Sequence, residues 1–384
     1  MNDRGLIVIG SGPAGVAAAA AFREYCDDVP VRMLTADVDR PYFRPPLSKE
    51  FLRGETEDVS RDGAEWCADH GVELLTGTRV DAIEVEQRVV VAAGARYPYT
   101  ELILACGASP TPPPVPGGDL AHILRSQRDA IQLRDAARRA DSAVVIGAGF
   151  IGCEAAASLA MQGLSVTLVA PDEFPQQKRL GAETGQRLAA LVEKSGTRFV
   201  GDTRVQEITG DSVVLDDGVS VHADLIVAAT GVAPNSAIAE TGGLEVKHSR
   251  IVVDAGMQTF WHGVFAAGDV ALGVNTTARR PIAIEHWQDA TDQGAVAGRR
   301  AAGADAAWSQ VPGFWTTIGD ETLKYHAWGD GYDRSRLVDH GSGCTVWYEA
   351  DEAVVGVLTH NADDDYDLGE RLIRDRKPAP VPMQ

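Results

Sequence analysis

Three glycines near the start of the chain are spaced so that their backbone can hold a phosphate. Gly10, Gly12 and Gly15 form a G-x-G-x-x-G motif, with Pro13 and Ala14 between the last two. In such a motif the first glycine permits a tight turn, the second lets a pyrophosphate approach the backbone, and the third lets a helix pack close to a strand. The free N–H groups and the positive dipole end of that helix would then bind the phosphates.

The segments around these glycines have the order that such a site requires. Residues 6–9 are an apolar run typical of a buried parallel strand, and residues 14–25 predict an Ala-rich helix. A second strand is predicted at residues 31–34, and Asp37 follows it as a carboxylate placed to accept hydrogen bonds from a ribose. The glycine motif alone is a weak signal in a chain with 40 glycines, but the order strand, turn, helix, strand and acid makes it specific.

The same residues allow a second interpretation, a secretory signal peptide. Arg4 precedes the mostly apolar residues 6–22, which is the charge and apolar order of such a peptide. Three glycines and Pro13 interrupt the apolar stretch, however, and it continues into the second strand without a polar region around a cleavage site. We therefore favour the dinucleotide-binding interpretation.

A second glycine motif repeats the first. Gly147, Gly149 and Gly152 follow an apolar strand at residues 143–146 and open a predicted helix, and a further strand is predicted at residues 165–169. Two such motifs in one chain are a partial internal repeat. The sequence therefore predicts two dinucleotide-binding units.

Several other segments indicate how the rest of the chain is organised. The Pro-rich residues 111–117 cannot continue a helix or a central strand and form the first linker. From residue 311 onward, aromatic residues and alternating polarity predict a small α+β domain. Further predictions are a helical, acidic region at residues 50–70, a buried strand at 102–108 that runs into a glycine turn, a similar segment at 225–231 that closes the second unit, and a buried strand at 264–269 that ends in Gly-Asp. A polar stretch at 273–280, a helix at 285–301, C-terminal strands at 322–328, 344–349 and 353–359, and a terminal helix at 366–374 follow.

The composition excludes some functions. The length of 384 residues suggests two or three domains, and 45% hydrophobic with 23% charged residues is ordinary for a soluble globular protein. No run reaches the ~18 apolar residues of a membrane span. A formal net charge of −20 argues against non-specific binding of nucleic acid, and an acidic protein partner would need a local basic patch.

The five cysteines point to a reducing compartment. Their number is odd, and no two of them form a C-x-x-C or C-x-x-x-x-C pair. We therefore expect a cytoplasmic protein without structural zinc or another metal site.

The motifs together resemble one family. Two G-x-G-x-x-G units, the Thr230-Gly231 and Gly268-Asp269 strand ends and the α+β tail look like the flavoproteins with two dinucleotide-binding domains. Within that family, the string Arg44-Pro45-Pro46-Leu47-Ser48-Lys49 and the string Glu285-His286-Trp287 are similar to FAD-dependent ferredoxin, rubredoxin and putidaredoxin reductases. The resemblance spans nearly the whole chain and is weakest after residue 311.

This resemblance implies an α/β fold with two Rossmann-like domains and a small C-terminal α+β domain. Residues 1–112 and 241–309 would form the FAD-binding domain, residues 113–240 the NAD(P)H-binding domain, and residues 310–384 the C-terminal interface domain. FAD would lie on the first glycine motif and the nicotinamide coenzyme on the second.

The resemblance also implies roles for individual residues. Asp37 would replace the usual Glu on the adenosine ribose, Arg44 would contact the FAD phosphate region, and Lys49, paired with Glu154, would lie on the flavin N5 side. Asp269 would bond the ribitol, and the helix at Trp287 would aim its positive end at flavin N1/O2. The full set of predicted cofactor-binding residues is Gly10, Gly12, Pro13, Ala14, Gly15, Asp37, Arg44, Lys49, Ala105, Gly107, Gly147, Gly149, Phe150, Ile151, Gly152, Glu154, Gly231, Gly268, Asp269, His286 and Trp287, and the predicted catalytic residues are Lys49, Glu154 and Trp315.

The absence of a cysteine pair near the first motif argues against electron transfer from the flavin to a dithiol of this chain. Dithiol members of the family need two nearby cysteines, and residues 38–54 contain none. Cys26 and Cys153 are expected to be small buried residues. Electrons would therefore leave the flavin directly for an external acceptor. The resemblance implies that they leave singly for a ferredoxin-type iron–sulfur protein, with Trp315 as the aromatic residue on the exit side. Four arginines that could form the basic patch for this partner are Arg279, Arg280, Arg299 and Arg300.

The choice of nicotinamide coenzyme and of electron acceptor stays open. Ala170 stands where an NAD-specific site usually has an acid, although Asp172 or Glu173 could take that role. Lys178 and Arg179 could instead receive the 2′-phosphate of NADPH, so NADH is favoured and NADPH remains possible. Two other functions are an NAD(P)H oxidase or quinone reductase without a protein acceptor, and a redox-sensing interaction protein resembling apoptosis-inducing factor. The sequence does not show the oligomeric state.

Overall fold

The computed structural model describes residues 4–60 and 65–381. The chain divides into two compact units. The first contains Met1–Phe43, Ser60–Ser109 and Ala233–Phe314, and the second contains Arg44–Val59, Pro110–Val232 and Trp315–Gln384. The C-terminal residues thus group with the second glycine motif. The three-domain division predicted from the sequence stays a prediction.

Ten α-helices lie in the described part of the chain. They are α1 (Pro13–Arg23), α2 (Glu50–Arg53), α3 (Trp66–Asp69), α4 (Gln127–Ala137), α5 (Phe150–Met161), α6 (Gln177–Leu180), α7 (Ala182–Lys194), α8 (Ala237–Thr241), α9 (Trp287–Ala301) and α10 (Asp363–Asp375). The strands are β1 (Gly5–Ile9), β2 (Val31–Leu34), β3 (Val72–Leu75), β4 (Val80–Glu84), β5 (Val89–Ala92), β6 (Ala95–Leu104), β7 (Ala108–Pro110), β8 (His122–Ile123), β9 (Ser142–Ile146), β10 (Ser165–Val169), β11 (Arg198–Val200), β12 (Val205–Ile208), β13 (Ser212–Leu215), β14 (Ser220–His222), β15 (Leu225–Ala228), β16 (Val232–Pro234), β17 (Val246–Lys247), β18 (Arg250–Val253), β19 (Val264–Ala266), β20 (Ala271–Asn275), β21 (Arg280–Ile282), β22 (Gly313–Ile318), β23 (Glu321–Ala327), β24 (Arg334–Asp339), β25 (Cys344–Ala350) and β26 (Ala353–His360).

The main sheet of the first unit places the first glycine motif at a switch in strand order. The order is β3-β2-β1-β6-β5-β4, with β19 also paired to β6. β1, β2, β3, β6 and β19 pair in parallel, whereas β4 and β5 extend the sheet antiparallel. The chain runs outward from β1 through β2 to β3 and then returns to β6 on the other side of β1. Ligands of open α/β sheets bind beyond the carboxyl ends of the strands at such a switch point, and Gly10 follows β1 there.

Helix α9 packs against α1 in backbone contact. A Cβ added at Gly294 would lie 2.2 Å from the carbonyl oxygen of Ala14, and one at Gly298 would lie 2.1 Å from that of Ala18. A Cβ at Gly268 would lie 3.1 Å from the Cβ of Ala14. Glycines one helical turn apart therefore let α9 approach the helix of the first glycine motif, and the turn after β19 lies against the same helix.

We expect Gly294→Ala to destabilise the first unit by about 1–3 kcal/mol, because the added methyl group forces two helix backbones apart. Gly210→Ala is the control, since a Cβ there meets nothing within 4 Å. Urea unfolding of both variants measures the difference. Equal midpoints for the two variants would contradict the backbone contact.

The second unit contains a fully parallel sheet of order β11-β10-β9-β15-β8. The antiparallel strands β12, β13 and β14 form a small separate sheet. The C-terminal sheet has the order β22-β23-β26-β25-β24, and β23 to β26 pair antiparallel. Helix α10 covers this sheet closely, since a Cβ at Gly369 would lie 2.3 Å from Cγ1 of Val357.

Most predicted strands and helices are confirmed, but one prediction is wrong. The sequence predicts a helical region at residues 50–70, but in the part of it that the structure describes the only helices are the four-residue α2 and α3. Helix α2 ends at Gly54, which has φ of +77° and so closes the helix in the left-handed conformation. Residues 61–64 of that region lie outside the described residues. The polar stretch at 273–280 contains the end of β20, the turn after it and the first residue of β21, and these two strands pair antiparallel.

Within residues 4–60 and 65–381, no helix is both long enough and apolar enough to span a lipid bilayer.

Candidate functional site

The first glycine motif folds as a tight strand–turn–helix cradle. Gly10 has φ of +109°, and a Cβ there would lie 2.2 Å from the carbonyl oxygen of Ala105, just beyond β6. A Cβ at Gly15 would lie 2.0 Å from the carbonyl oxygen of Gly10. The first and third glycines are therefore required by close backbone approach, as the spacing predicted.

The second motif repeats this geometry in the second unit. Gly147 has φ of +103°, and a Cβ there would lie 2.4 Å from the carbonyl oxygen of Ala229, just beyond β15. A Cβ at Gly152 would lie 1.9 Å from the carbonyl oxygen of Gly147. The internal repeat predicted from the sequence is thus a repeat of backbone geometry.

Both cradles fit a dinucleotide pyrophosphate. Helix α1 has Gly12 at its N-cap and α5 has Gly149 there; neither end has a side-chain cap or an acidic residue in its first turn. The first N–H groups of each helix therefore have no capping side chain, and the positive helix end has no competing carboxylate. These are the features of an anion site, here present twice.

Asp37 lies in the first unit within a small hydrogen-bond network. Its Oδ2 accepts from the Tyr42 hydroxyl at 2.8 Å, and its Oδ1 accepts from the Asp39 backbone N–H at 3.1 Å. Ser11, inside the glycine motif, donates to the Thr35 hydroxyl at 3.0 Å, and the Asp37 backbone N–H donates to the same hydroxyl at 3.2 Å. The network ties the predicted ribose acceptor to the glycine motif. Each carboxylate oxygen keeps capacity for a further bond.

The turn after β19 holds two further predicted residues. Asp269 is buried, and the backbone N–H of Gly268 donates to Oε1 of Gln293 on α9 at 2.9 Å. Gln293 is fully buried and was not predicted. Its position seven residues into a helix gives no sequence signal for this contact. Ala105 and Gly107 follow β6, and Gly231 follows β15, at the equivalent strand ends.

Helix α9 begins at Trp287, as the family resemblance implied and two residues after the start predicted from the sequence pattern, with His286 as its N-cap. Nδ1 of His286 lies 3.2 Å from Oδ2 of Asp289, and the backbone N–H of Gly313 donates to the same oxygen at 3.3 Å. Asp289 is only 1% exposed. A carboxylate in the first turn partly offsets the positive end of the helix, so this end is less positive than the dipole alone implies. The Trp287 ring lies 6.2 Å from that of Phe43.

Lys49 and Glu154 form a buried ion pair in the second unit. Nζ of Lys49 lies 2.8 Å from Oε2 of Glu154, and their side chains are 7% and 3% exposed. Lys49 also donates to the Pro45 carbonyl oxygen at 2.9 Å. The pairing implied by the family resemblance is present, whereas its role toward the flavin stays a prediction.

The Glu154 carboxylate has a complete set of donors. Oε2 also accepts from the Ser48 hydroxyl at 2.5 Å, while Oε1 accepts from the Thr316 hydroxyl at 2.6 Å and from the Thr317 backbone N–H at 3.2 Å. Sequence analysis missed the two hydroxyls, because serine and threonine carry no pattern that marks such a contact. A buried charge is tolerated when its partners are this complete.

One face of α5 holds the segment that carries Lys49. Glu154, Ser158 and Gln162 lie four residues apart and so share that face. Ser158 donates to the Ser48 carbonyl oxygen at 2.7 Å, and Gln162 donates to that of Leu52 at 3.1 Å. Phe150 and the half-exposed Ile151 open the same helix after Gly149. The helix of the second glycine motif therefore fixes the backbone on which Lys49 stands.

A cleft beside the second motif contains the residues that bear on coenzyme choice. Gly149, Ala170, Asp172, Lys178 and Arg179 all line it. Nζ of Lys178 lies 2.6 Å from Oδ1 of Asp172. The Arg179 guanidinium lies 5.3 Å from the centre of the Tyr325 ring, as in a cation–π contact.

The cysteines are not arranged for redox exchange. All five are free thiols. Cys153 is 1% exposed, and burial raises its pKa to about 12. Burial also raises the pKa of the Cys67 and Cys344 thiols. Since the thiolate is the reactive form, these thiols are poor nucleophiles. Within residues 4–60 and 65–381, no group of three or more His, Cys, Asp or Glu residues is placed to hold a metal ion.

The remaining predicted residues lie outside these clusters. Arg44 donates to the Arg125 carbonyl oxygen at 2.8 Å in the second unit. Trp315 is 42% exposed. Of the predicted basic patch, Arg299 lies 3.3 Å from a Glu24 oxygen and Arg300 lies 3.4 Å from an Asp305 oxygen, so two of its four charges are partly neutralised.

Known proteins are similar to this chain in both sequence and fold. The sequence pattern of the family described as pyridine nucleotide-disulphide oxidoreductase matches residues 4–294. The ferredoxin–NAD(+) reductase component of the anthranilate 1,2-dioxygenase system of Burkholderia cepacia is 37% identical over 334 residues, which is 84% of this chain and 82% of the relative. Human apoptosis-inducing factor 3 is 32% identical over 342 residues, 86% of this chain, and the chain spans 56% of its length.

The fold similarity covers almost the entire chain. A crystal structure of the covalent putidaredoxin reductase–putidaredoxin complex matches with a TM-score of 0.92 at 27% identity, covering 98% of this chain and 94% of the matched one. This match confirms the α/β fold with two dinucleotide-binding domains that the sequence predicted.

Proposed function

The chain belongs to the pyridine nucleotide-disulphide oxidoreductase family, and we propose that this FAD- and NAD(P)H-dependent oxidoreductase passes single electrons to a ferredoxin-type iron–sulfur protein that serves an oxygenase or a P450. The observation that carries the proposal is the duplicated glycine cradle in a chain whose five cysteines are all unpaired. Two cradles provide for two dinucleotides. Without a dithiol, the chain itself cannot accept the electrons.

The chain's own residues bind and orient the cofactors. Bound FAD supplies the chemistry that no side chain here can perform, accepting hydride from the nicotinamide coenzyme and releasing electrons one at a time. The cradle at Gly10 holds the phosphates of FAD, and the cradle at Gly147 holds those of the coenzyme. We assign Lys49 and Glu154 to the reduction step and Trp315 to the exit of electrons. Asp37, Arg44, Asp269, His286 and Trp287 keep their predicted contacts with FAD.

The names of the relatives support an iron–sulfur partner. One is the reductase component of a dioxygenase system, and another was crystallised as a covalent complex with putidaredoxin. A net charge of −20 means that an acidic partner must meet a locally basic surface. Our candidates are Arg279, Arg280, Arg299 and Arg300, and acidic neighbours partly neutralise the last two. We also propose a cytoplasmic location, on the unpaired cysteines.

An anaerobic titration tests the cofactor assignment. The purified protein should show the visible absorption of bound FAD, and NADH should bleach it stoichiometrically. Protein that stays colourless after incubation with FAD would overturn the proposed function. Steady-state reduction of quinone or O₂ at full speed without a protein acceptor would instead indicate an oxidase or a quinone reductase.

The similarity to human apoptosis-inducing factor 3 favours one second candidate, a flavin-based redox-sensing interaction protein. Such a protein would be reduced by NADH and then stay reduced, because it does not turn over. A long-lived charge-transfer absorption with NAD⁺ in the presence of ferredoxin-type acceptors would select this candidate.

We expect Asp172→Ala to shift coenzyme preference from NADH toward NADPH by about tenfold, because hydrogen bonds to a charged acceptor are typically worth ~1.5–3 kcal/mol. Asp172 lines the coenzyme cleft, whereas the adjacent Glu173 is exposed and does not. In NADPH, the negatively charged 2′-phosphate would face the Asp172 carboxylate. Lys178 is already paired with Asp172, and removing this carboxylate would leave Lys178 for the phosphate. Dissociation constants of both coenzymes for Asp172→Ala, with Glu173→Ala as control, measure the shift. Equal effects of the two substitutions would contradict the assignment of Asp172.

A further inference from the structure

We infer that Thr316 is a positioning residue for flavin reduction, acting through Glu154; this inference rests on the proposed function. Thr316 does not belong to any motif that the sequence analysis identified. It is 1% exposed, and its hydroxyl donates to Oε1 of Glu154 at 2.6 Å. The side chain is therefore committed to one buried carboxylate.

The two oxygens of Glu154 are held from different elements. Oε2 is held by Ser48 and Lys49, which belong to one short segment. Among residues 4–60 and 65–381, Oε1 is held only by β22, through the Thr316 hydroxyl and the Thr317 backbone N–H. The backbone bond is the longer of these two, at 3.2 Å. Without the Thr316 hydroxyl, Oε1 would be left with the longer bond from the Thr317 backbone N–H. The plane of the carboxylate would then be held less firmly, and the Lys49 ammonium would lose a rigid counter-charge.

The pattern along β22 separates this role from plain packing. Exposure alternates over the last four residues of the strand: Thr316 and Ile318 are buried, whereas Trp315 is exposed and Thr317 is partly exposed. An apolar residue such as valine would fill the Thr316 position equally well if packing were its only task. The residue at this position is instead a threonine, whose hydroxyl completes the set of hydrogen-bond donors to the Glu154 carboxylate. Because Trp315 is the next residue, the same contact also anchors the strand that carries the proposed exit residue.

The test is stopped-flow reduction of the FAD-loaded protein by NADH. Thr316→Val keeps the volume and removes the donor, and we expect it to lower the limiting reduction rate about tenfold, within the range that small misplacements of reacting groups cause. The dissociation constant of NADH should change less than about twofold, because the adenosine end binds in the separate cleft at Asp172. Thr316→Ser restores the hydroxyl and should return the rate to within about twofold of wild type.

A double-mutant cycle separates action through Glu154 from a general structural effect. In a Glu154→Gln background, Thr316→Val should cause little further loss of rate, since the group that it positions is already changed. Thr322→Val is the matched control, because that exposed threonine on β23 contacts only the outward Thr317 hydroxyl among the bonds of this cluster. NADH should reduce the flavin of Thr322→Val at the wild-type rate.

The outcomes also distinguish this inference from the proposed function. If wild-type protein binds FAD but NADH does not reduce it, the proposed function fails. If wild type is reduced and Thr316→Val is reduced equally fast, or if its loss is the same in the Glu154→Gln background, the positioning role is overturned. If Thr316→Val does not bind FAD, the flavin reduction rates of Thr316→Ser and Thr316→Ala are compared instead, since only the serine keeps the hydroxyl donor. A faster rate for Thr316→Ser supports the positioning role, and equal rates overturn it.

Discussion

Replacing Lys49 by methionine is expected to cost about 3–5 kcal/mol in the free energy of unfolding, the range for removing one partner of a buried ion pair. The change leaves the buried Glu154 carboxylate without its cationic partner. Ser48, Thr316 and Thr317 still donate to it, but neutral donors do not balance a buried charge. Urea unfolding of the FAD-saturated variant gives the value.

A second substitution shows whether the cost comes from the unpaired charge. Lys49→Met combined with Glu154→Gln should recover most of the stability, because the charge is gone and the introduced amide nitrogen can donate to the Ser48 hydroxyl. Lys194→Met is the surface control: its ion pair with Glu321 is mostly exposed on the lysine side, and such pairs are worth ~0–1 kcal/mol. If Lys49→Met were as stable as Lys194→Met, the buried pair would not be structural. Flavin reduction by NADH should not recover in the double variant, because both groups assigned to that step are absent.

Substituting the first glycine of each motif should separate the two cofactors. Gly10→Ala is expected to lower FAD affinity at least about 100-fold, since a methyl group 2.2 Å from the Ala105 carbonyl oxygen must distort a backbone that cradles phosphate at close range. Gly147→Ala, with a methyl group 2.4 Å from the Ala229 carbonyl oxygen, should keep FAD and lose tight binding of NADH. Visible absorption after purification and fluorescence titration with FAD and NADH measure the two affinities.

A control variant separates two effects of the added methyl group: its clash with a nearby carbonyl oxygen and its strain in the left-handed backbone conformation. Gly94 has φ of +77°, and a Cβ there meets nothing within 4 Å, so Gly94→Ala adds only the left-handed strain of about 1–2 kcal/mol. It should bind both cofactors normally. If Gly147→Ala lost FAD and Gly10→Ala kept it, the assignment of the two cradles would be reversed.

The parts of the site that the sequence predicted are those set by backbone geometry. The strand, turn and helix around Gly10 and Gly147 bring backbone atoms so close together that only glycine fits, and the spacing of the glycines indicates this directly. The helix predicted at residues 285–301 is also present, and it starts two residues later, at Trp287. The proximity of Lys49 and Glu154, 105 residues apart, came from the family resemblance rather than from any local pattern.

What the sequence did not predict depends on tertiary contact. Strand β24 reads Arg-Ser-Arg-Leu-Val-Asp, with no buried residue and little alternation, and it forms because β25 offers an edge to pair with. The donors Ser48 and Thr316 look like any other hydroxyl residues until the fold brings them to Glu154. The predicted helical region at residues 50–70 failed because Gly54 ends α2 after one turn. Propensity alone does not resolve such short segments.

The most direct test of the central claim is NADH-driven reduction of cytochrome c with and without a ferredoxin-type iron–sulfur protein such as putidaredoxin. The FAD-loaded protein should reduce cytochrome c rapidly only when such a protein is added, and the stimulated rate should fall with ionic strength because an acidic partner is held by a basic patch. Reduction of cytochrome c or O₂ at the same rate, with or without any of a panel of ferredoxin-type proteins, would contradict the account.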